Sequence, residues 1–309
     1  MKHYAFIDCA TQGYLTIVAL LIFMFHGTAV PLWHWLLGAH VAVIGLVHLL
    51  IRGHIRHPAN RVLDFLRHFY PVLLFAFFYR ETGELHPMFI SEYLDPAFLR
   101  LDERIFGIQP SLAFMQVLPY WPVSEIFYAS YFSYYIMIVG VGLALFLRNR
   151  QQFFHYVSVL SFVFYACYLT YIFTPVMGPR VFNRAVSGYT LPAEVQPEVI
   201  PEFPDAIKSG PFFRIMAWIY DHFEAPGAAF PSSHVAVAIT TLCFSFRYLP
   251  RIRFAHLLMV VLLCLSTVYC RYHYVVDVLA GIMTAAVLLP LGNWLYFRFD
   301  RSLERMECV

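Results

Sequence analysis

Eight apolar runs, each near the length that crosses a bilayer, fall at roughly 13–31, 32–51, 66–85, 122–147, 153–174, 233–249, 254–272 and 275–297. A spanning helix needs about 17–25 predominantly apolar residues. In hydrocarbon its backbone must satisfy its own hydrogen bonds, so only helices and closed barrels cross. Runs of this length and number predict an all-α fold: a polytopic membrane helix bundle of about eight transmembrane helices. Composition agrees, with 60% hydrophobic and only 13% charged residues in a chain of 309, against roughly 25% charged in a soluble domain. Pro31 marks the turn between the first two runs. The third run is the weakest, because Arg67 and His68 open it and Pro71 interrupts it. The run after Lys2 is long for a signal core and is read as an uncleaved first span.

Two long connections separate the runs. Residues 86–121 contain Pro87, Pro96, Pro110 and Pro119, together with an amphipathic stretch from Phe98 to Phe106. Such a stretch is expected to lie in the membrane interface. Residues 175–232 hold a proline-rich piece and a second amphipathic stretch, Phe212 to Phe223. Long ordered loops are usually functional, and the aromatic content here predicts a lid. The chain accordingly is expected to divide into N-terminal transmembrane helices with an interfacial segment (1–121) and a C-terminal transmembrane core (122–309) with an outer lid loop (175–232).

Charge sets an expected orientation. With the N-terminus in the cytoplasm, thirteen of the 21 Lys/Arg lie at inner helix ends and eight at outer ends. Most of the eight sit in the two long loops, where the positive-inside bias counts least. The net charge is +2 and no Lys/Arg run resembles a nucleic-acid patch, so no nucleic-acid partner is expected. The expected surroundings are a lipid bilayer, in a plasma, inner or endomembrane. None of the six cysteines has metal-ligand spacing, and they read as small buried hydrophobes. Oligomeric state is not encoded in any pattern found.

On this topology three ionisable residues meet at the outer, extracytoplasmic or lumenal, face. His234 opens the sixth span, His273 closes the seventh and Asp277 opens the eighth. Ionisable groups at such positions are expensive and usually functional. His273 and Asp277 are four apart, so a helix over 272–277 would put both on one face. A carboxylate on one imidazole nitrogen leaves the other free to attack. His234 can supply a proton to a leaving oxygen. It follows Pro231-Ser232-Ser233 at a predicted helix start, where backbone N–H groups favour phosphate. Arg180 and Arg271 are candidates to hold phosphoryl oxygens. Each residue alone has a plainer reading. A lone membrane histidine is usually a core residue, Ser232 is a natural N-cap, Asp277 can pair Arg271, and Arg180 can sit at a headgroup. Their order and common face are what argue for a site.

These residues resemble the type-2 phosphatidate phosphatase superfamily, which includes vanadium haloperoxidases and inositol-phosphorylceramide synthases. Pro231-Ser232-Ser233-His234 is similar to the second motif, Pro-Ser-Gly-His. His273 and Asp277 match the His-x-x-x-Asp that ends the third. The runs Ser266–Gly281 and Thr174–Arg180 look like the branch of inositol phosphotransferases. The resemblance implies a six-helix phosphatase-type core, a membrane lipid-phosphate substrate, no cofactor or metal, and a phosphohistidine intermediate. It makes His273 the nucleophile, Asp277 its orienting partner and His234 the acid, with Ser232 and the Ser233 backbone binding phosphate. The sequence departs from the pattern where Phe173 stands at the first motif's lysine and Thr267 at the third motif's arginine. Arg271 and Lys208 are candidates for the missing charge. These departures raise the alternative of headgroup transfer from a phosphodiester lipid to an alcohol acceptor.

Two other classes compete. His26, His40, His48 and His68, in or near the first three spans, could ligate haem in a membrane redox protein. Asp277 could serve a proton relay in a transporter.

Overall fold

The structure, a computed structural model, describes residues 4–180 and 202–307; of residues 300–307 only the helical course is described. The segment 181–201 of the expected lid, with Arg184, lies outside the described residues. The chain is all-α. Its helices are α1 (Phe6–Phe25), α2 (Trp33–Arg56), α3 (Arg61–Leu85), α4 (Asp95–Phe106), α5 (Pro110–Val117), α6 (Trp121–Arg148) and α7 (Arg150–Phe173). They continue as α8 (Asp205–Lys208), α9 (Pro211–Phe223), α10 (Ser233–Tyr248), α11 (Arg253–Tyr269) and α12 (Val275–Glu307). Among the described residues six helices are long and apolar enough to cross a membrane: α1, α2, α3 (with the turn that follows it), α6, α7 and α12. The chain is an integral membrane protein. The expected spans at 233–249 and 254–272 are also helices, α10 and α11, of 16 and 17 residues.

α7 is the axis of the bundle. It packs against α1, α3, α6, α10 and α12, and most of its residues are buried. A helix that is apolar on all sides suits that place. Lipid provides no hydrophobic drive between helices, so close packing and small residues hold such bundles together. Gly281 of α12 illustrates this: a Cβ there would lie 2.6 Å from the Ser232 carbonyl oxygen.

Two expectations are corrected in the N-terminal helices. α1 begins at Phe6 rather than near 13, because Asp8 is neutralised inside the bundle. Asp8 accepts from the Ala5 N–H at 2.7 Å and the Tyr70 hydroxyl at 2.7 Å, and it pairs with Arg67. That partner also carries Arg67 into the buried face of α3. Pro71 does not interrupt the third run; it is buried within the continuous α3. Membrane helices tolerate proline where surrounding groups satisfy the freed backbone.

The two amphipathic stretches form helices, α4 and α9. Each buries one face and exposes apolar side chains on the other: Leu101, Ile105 and Phe106 from α4, and Ile215, Trp218 and Phe223 from α9.

Candidate active site

The three motifs meet where α7, α10 and α11 end or begin. The first, Thr174–Arg180, leaves α7 and is stitched to the approach of the second. Val176 N–H donates to Gly227 O at 3.1 Å, and Ala229 N–H to Val176 O at 2.8 Å. In the second, Ser232 caps α10 by accepting from Val235 N–H at 3.4 Å. The Ser233 N–H donates to the Tyr171 hydroxyl at 3.2 Å, and that hydroxyl donates to Pro231 O at 3.1 Å. The Ser233 backbone, expected to bind phosphate, is thus engaged by Tyr171.

The third motif does not follow the expected helix over 272–277. α11 stops at Tyr269, and α12 starts at Val275. Arg271 N–H bonds Val268 O and Tyr272 N–H bonds Thr267 O, both at 3.0 Å, with Arg271 at φ 60°. This is the Schellman ending, whose left-handed position normally takes glycine. An arginine there is strained, as backbones at functional sites often are. The reversal sends the His273 N–H back to Thr267 O at 3.0 Å and turns its imidazole inward. His273 and Asp277 meet across a loop-to-helix junction, not along one helix face.

The three residues expected to carry chemistry are brought together. His273 Nδ1 lies 3.4 Å from Asp277 Oδ2, and His273 Nε2 lies 3.4 Å from His234 Nδ1. Asp277 Oδ2 also accepts the Tyr274 N–H at 2.9 Å. All three side chains are largely shielded from solvent, with Asp277 and His273 buried. Burial pushes the His273 imidazole down to about 3, and a backbone hydrogen bond at Ala229 acts the other way. Burial thus favours the neutral imidazole.

Tyrosines surround the pair. The Tyr131 hydroxyl is 3.1 Å from His234 Nε2 and hydrogen-bonds the Tyr220 hydroxyl. The Tyr134 ring packs 4.4 Å from the His234 ring. Tyr220 stacks on Tyr272 at 4.1 Å and 10°. Arg180 lies against this stack, 4.1 Å from the Tyr220 centroid, and pairs with Glu224. Burial works against its charge, but Glu224 and the neighbouring tyrosines outweigh it and raise the Arg180 pKa.

Two further residues expected to bind phosphate are Arg271 and Lys208. The Arg271 guanidinium is buried over the Phe203 ring at 4.6 Å. Lys208, in α8, pairs with Glu202 at 3.2 Å and Asp205 at 3.5 Å. The four N-terminal histidines each bond through Nδ1 to another group: His26 to Ile22 O, His40 to Leu36 O, His48 to the Tyr4 hydroxyl and His68 to Asp64 O.

The motifs alone do not reveal Tyr131, Tyr220, Glu224 and Tyr171. One signal was available for Tyr131: Tyr128, Tyr131, Tyr134 and Tyr135 recur at helical spacing in α6, which marks a tyrosine-bearing face.

Comparison with known proteins places the chain in a family. Residues 97–291, well over half of the chain, match the family model described as the PAP2 superfamily. A PA-phosphatase related-family protein of Dictyostelium discoideum is 33% identical over 66 residues, covering 21% of this chain. The matched stretch is 12% of that relative's length. No solved structure matches. On the matched segment, which takes in all three motifs, the chain belongs to the PAP2 superfamily.

Proposed function

We propose that this protein is a lipid-phosphate phosphatase or phosphotransferase working through a phosphohistidine at His273. The observation that carries the reading is the alignment Asp277 Oδ2, His273 Nδ1, His273 Nε2, His234 Nδ1, with 3.4 Å at each contact between side chains. Asp277 holds the proton on His273 Nδ1, which leaves the Nε2 lone pair to attack phosphorus. The P–N bond forms as the bond to the lipid alcohol oxygen breaks. His234, entering the step as the imidazolium, gives one proton to that departing oxygen and is left neutral. In the second step an acceptor hydroxyl loses its proton to His234, attacks phosphorus and breaks the P–N bond. Arg180 is the cation best placed for phosphoryl oxygens, once Glu224 yields it.

The test is phosphate release from lipid phosphomonoesters in detergent. Wild type is expected to release it and His273→Ala to release none. Turnover by His273→Ala would remove the mechanism. His234→Ala is expected to fail chiefly on poor leaving groups.

A second reading is transfer to an alcohol, as in inositol-phosphorylceramide synthases. It is favoured by the enclosure of the histidines by Tyr131, Tyr134, Tyr220 and Tyr272, which limits water. It predicts no phosphate release, but headgroup transfer from an inositol phospholipid to an added alcohol. An outward or lumenal site belongs to the same proposal, and labelling of Lys208 in sealed vesicles tests it. A Soret band in the purified protein would instead revive the haem class.

A further inference from the structure

Two aspartates outside the three motifs hold those motifs in place. Asp95 and Asp102 are seven residues apart in α4, about two turns, and so share one face. Both are buried, at 1% and 0% exposure. Asp95 accepts the Met177 and Gly178 N–H groups, each at 2.9 Å, and the Tyr274 hydroxyl at 3.0 Å. Asp102 accepts the Val275 N–H at 2.9 Å and the Val276 N–H at 3.0 Å.

The groups they hold are those a local side chain would ordinarily satisfy. Val275 and Val276 are the first residues of α12, whose N–H groups have no partner within the helix. Tyr274, the residue before them, has no side chain that caps, and its own N–H goes to Asp277. Asp102 therefore caps α12 from another helix. Asp95 does the same for the turn that leads to Arg180. A Cβ at Gly178 would lie 2.3 Å from the Tyr272 carbonyl oxygen, so this turn is pressed against the loop that carries His273. The Tyr274 hydroxyl joins the two through Asp95.

We propose that α4 is a positioning element, in which Asp95 and Asp102 fix the backbone on either side of the nucleophile. This rests on the reading of His273 given above. Asp102 grips the residues between His273 and Asp277, and Asp95 grips the turn two residues before Arg180. Each aspartate accepts from backbone N–H groups through both of its oxygens. Asparagine keeps the shape but presents one oxygen, and its NH₂ meets the other N–H. A displacement on the order of 1 Å at reacting groups can lower turnover by about 10²-fold.

The experiment compares Asp95→Asn, Asp102→Asn and a control, Asp8→Asn, with wild type. Asp8 is a buried carboxylate with three partners, Ala5, Tyr70 and Arg67, away from the motifs. Steady-state turnover of a lipid phosphate is measured beside thermal unfolding in the same detergent, on protein shown folded by gel filtration. The expected result is a fall in kcat of about 10- to 100-fold for both α4 variants, with little change in KM, while Asp8→Asn loses stability and keeps its kcat. Asp102→Glu, which retains both oxygens, is expected to recover part of the rate. The proposal is overturned if the α4 variants lose activity only in proportion to their folded fraction, or if Asp8→Asn shows the same kcat defect. Should wild type turn over neither phosphomonoester nor phosphodiester, the reading of His273 fails first and this proposal with it.

Discussion

α4 and α9 are both amphipathic helices beside the site, and they hold it by different physics. α4 presents two buried carboxylates to backbone N–H groups. These bonds, at 2.9–3.0 Å, end on carboxylate oxygens and come from peptide planes that cannot rotate away. α9 instead contacts the site through Tyr220, which stacks on Tyr272 and bonds Tyr131, and leads into Glu224, which takes Arg180. Its start is tied to α6, where Glu125 accepts the Phe212 and Phe213 N–H groups at 2.9 and 3.2 Å. One helix grips backbone beside His273 through carboxylates, while the other lays side chains over Arg180.

Breaking the brace has the largest expected effect. Gly178 has φ 90° and no room for a Cβ, so Gly178→Ala is expected to cut turnover by on the order of 10²-fold or more, measured as phosphate release at saturating substrate. Freeing the start of the cover comes next. Glu125→Ala leaves two N–H groups without their acceptor, at about 1–3 kcal/mol each where burial is complete. A lower apparent Tm in detergent checks this; an unchanged Tm would mean α9 is anchored elsewhere. Tyr220→Phe keeps the stack and removes one hydroxyl. A loss of about 0.5–1.5 kcal/mol, or about 2- to 10-fold in kcat, is expected, weighted toward poor leaving groups if Tyr131 is what holds His234. An equal loss on good and poor leaving groups would assign Tyr220 to packing alone.

The smallest effect concerns pH. Burial raises the Asp95 carboxyl to about 6, against the opposing hydrogen bonds from Met177, Gly178 and Tyr274. The folded state then binds the proton more tightly than the unfolded state, so this contribution to stability is full below the ordinary aspartate value. It is lost as pH rises through about 6. For His273, held at about 3 by burial, the unfolded state binds the proton more tightly. Its contribution is full above the ordinary histidine value and is lost as pH falls toward 3. Melting of wild type and Asp95→Asn from pH 4 to 7 separates the two. Wild type should lose ground to the variant as pH rises. Parallel curves would show that Asp95 does not titrate in this range.

Much of the site could be read from the sequence because its groups are written in short motifs. Ser232 had to cap a helix, and His234, His273 and Asp277 had to lie at its end or at neighbouring ends. The route by which His273 reaches Asp277 was not legible, since an arginine in the left-handed position of a helix ending is a rare choice that no propensity favours. Lys208 looked available as a charge, yet Glu202 and Asp205 in its own segment engage it. Arg67 looked unfavourable to a span until Asp8, 59 residues earlier, came to meet it.

What the sequence alone determined is the bundle, its amphipathic helices and the placing of His234, His273 and Asp277 at helix ends, because the period and length of apolar runs and the spacing of motif residues are local. The tertiary structure decided which groups hold those residues in place. Asp95, Asp102, Tyr131, Tyr220 and Glu224 act on atoms distant in the chain. A hydrogen bond between such groups depends on how helices pack, which no local pattern records.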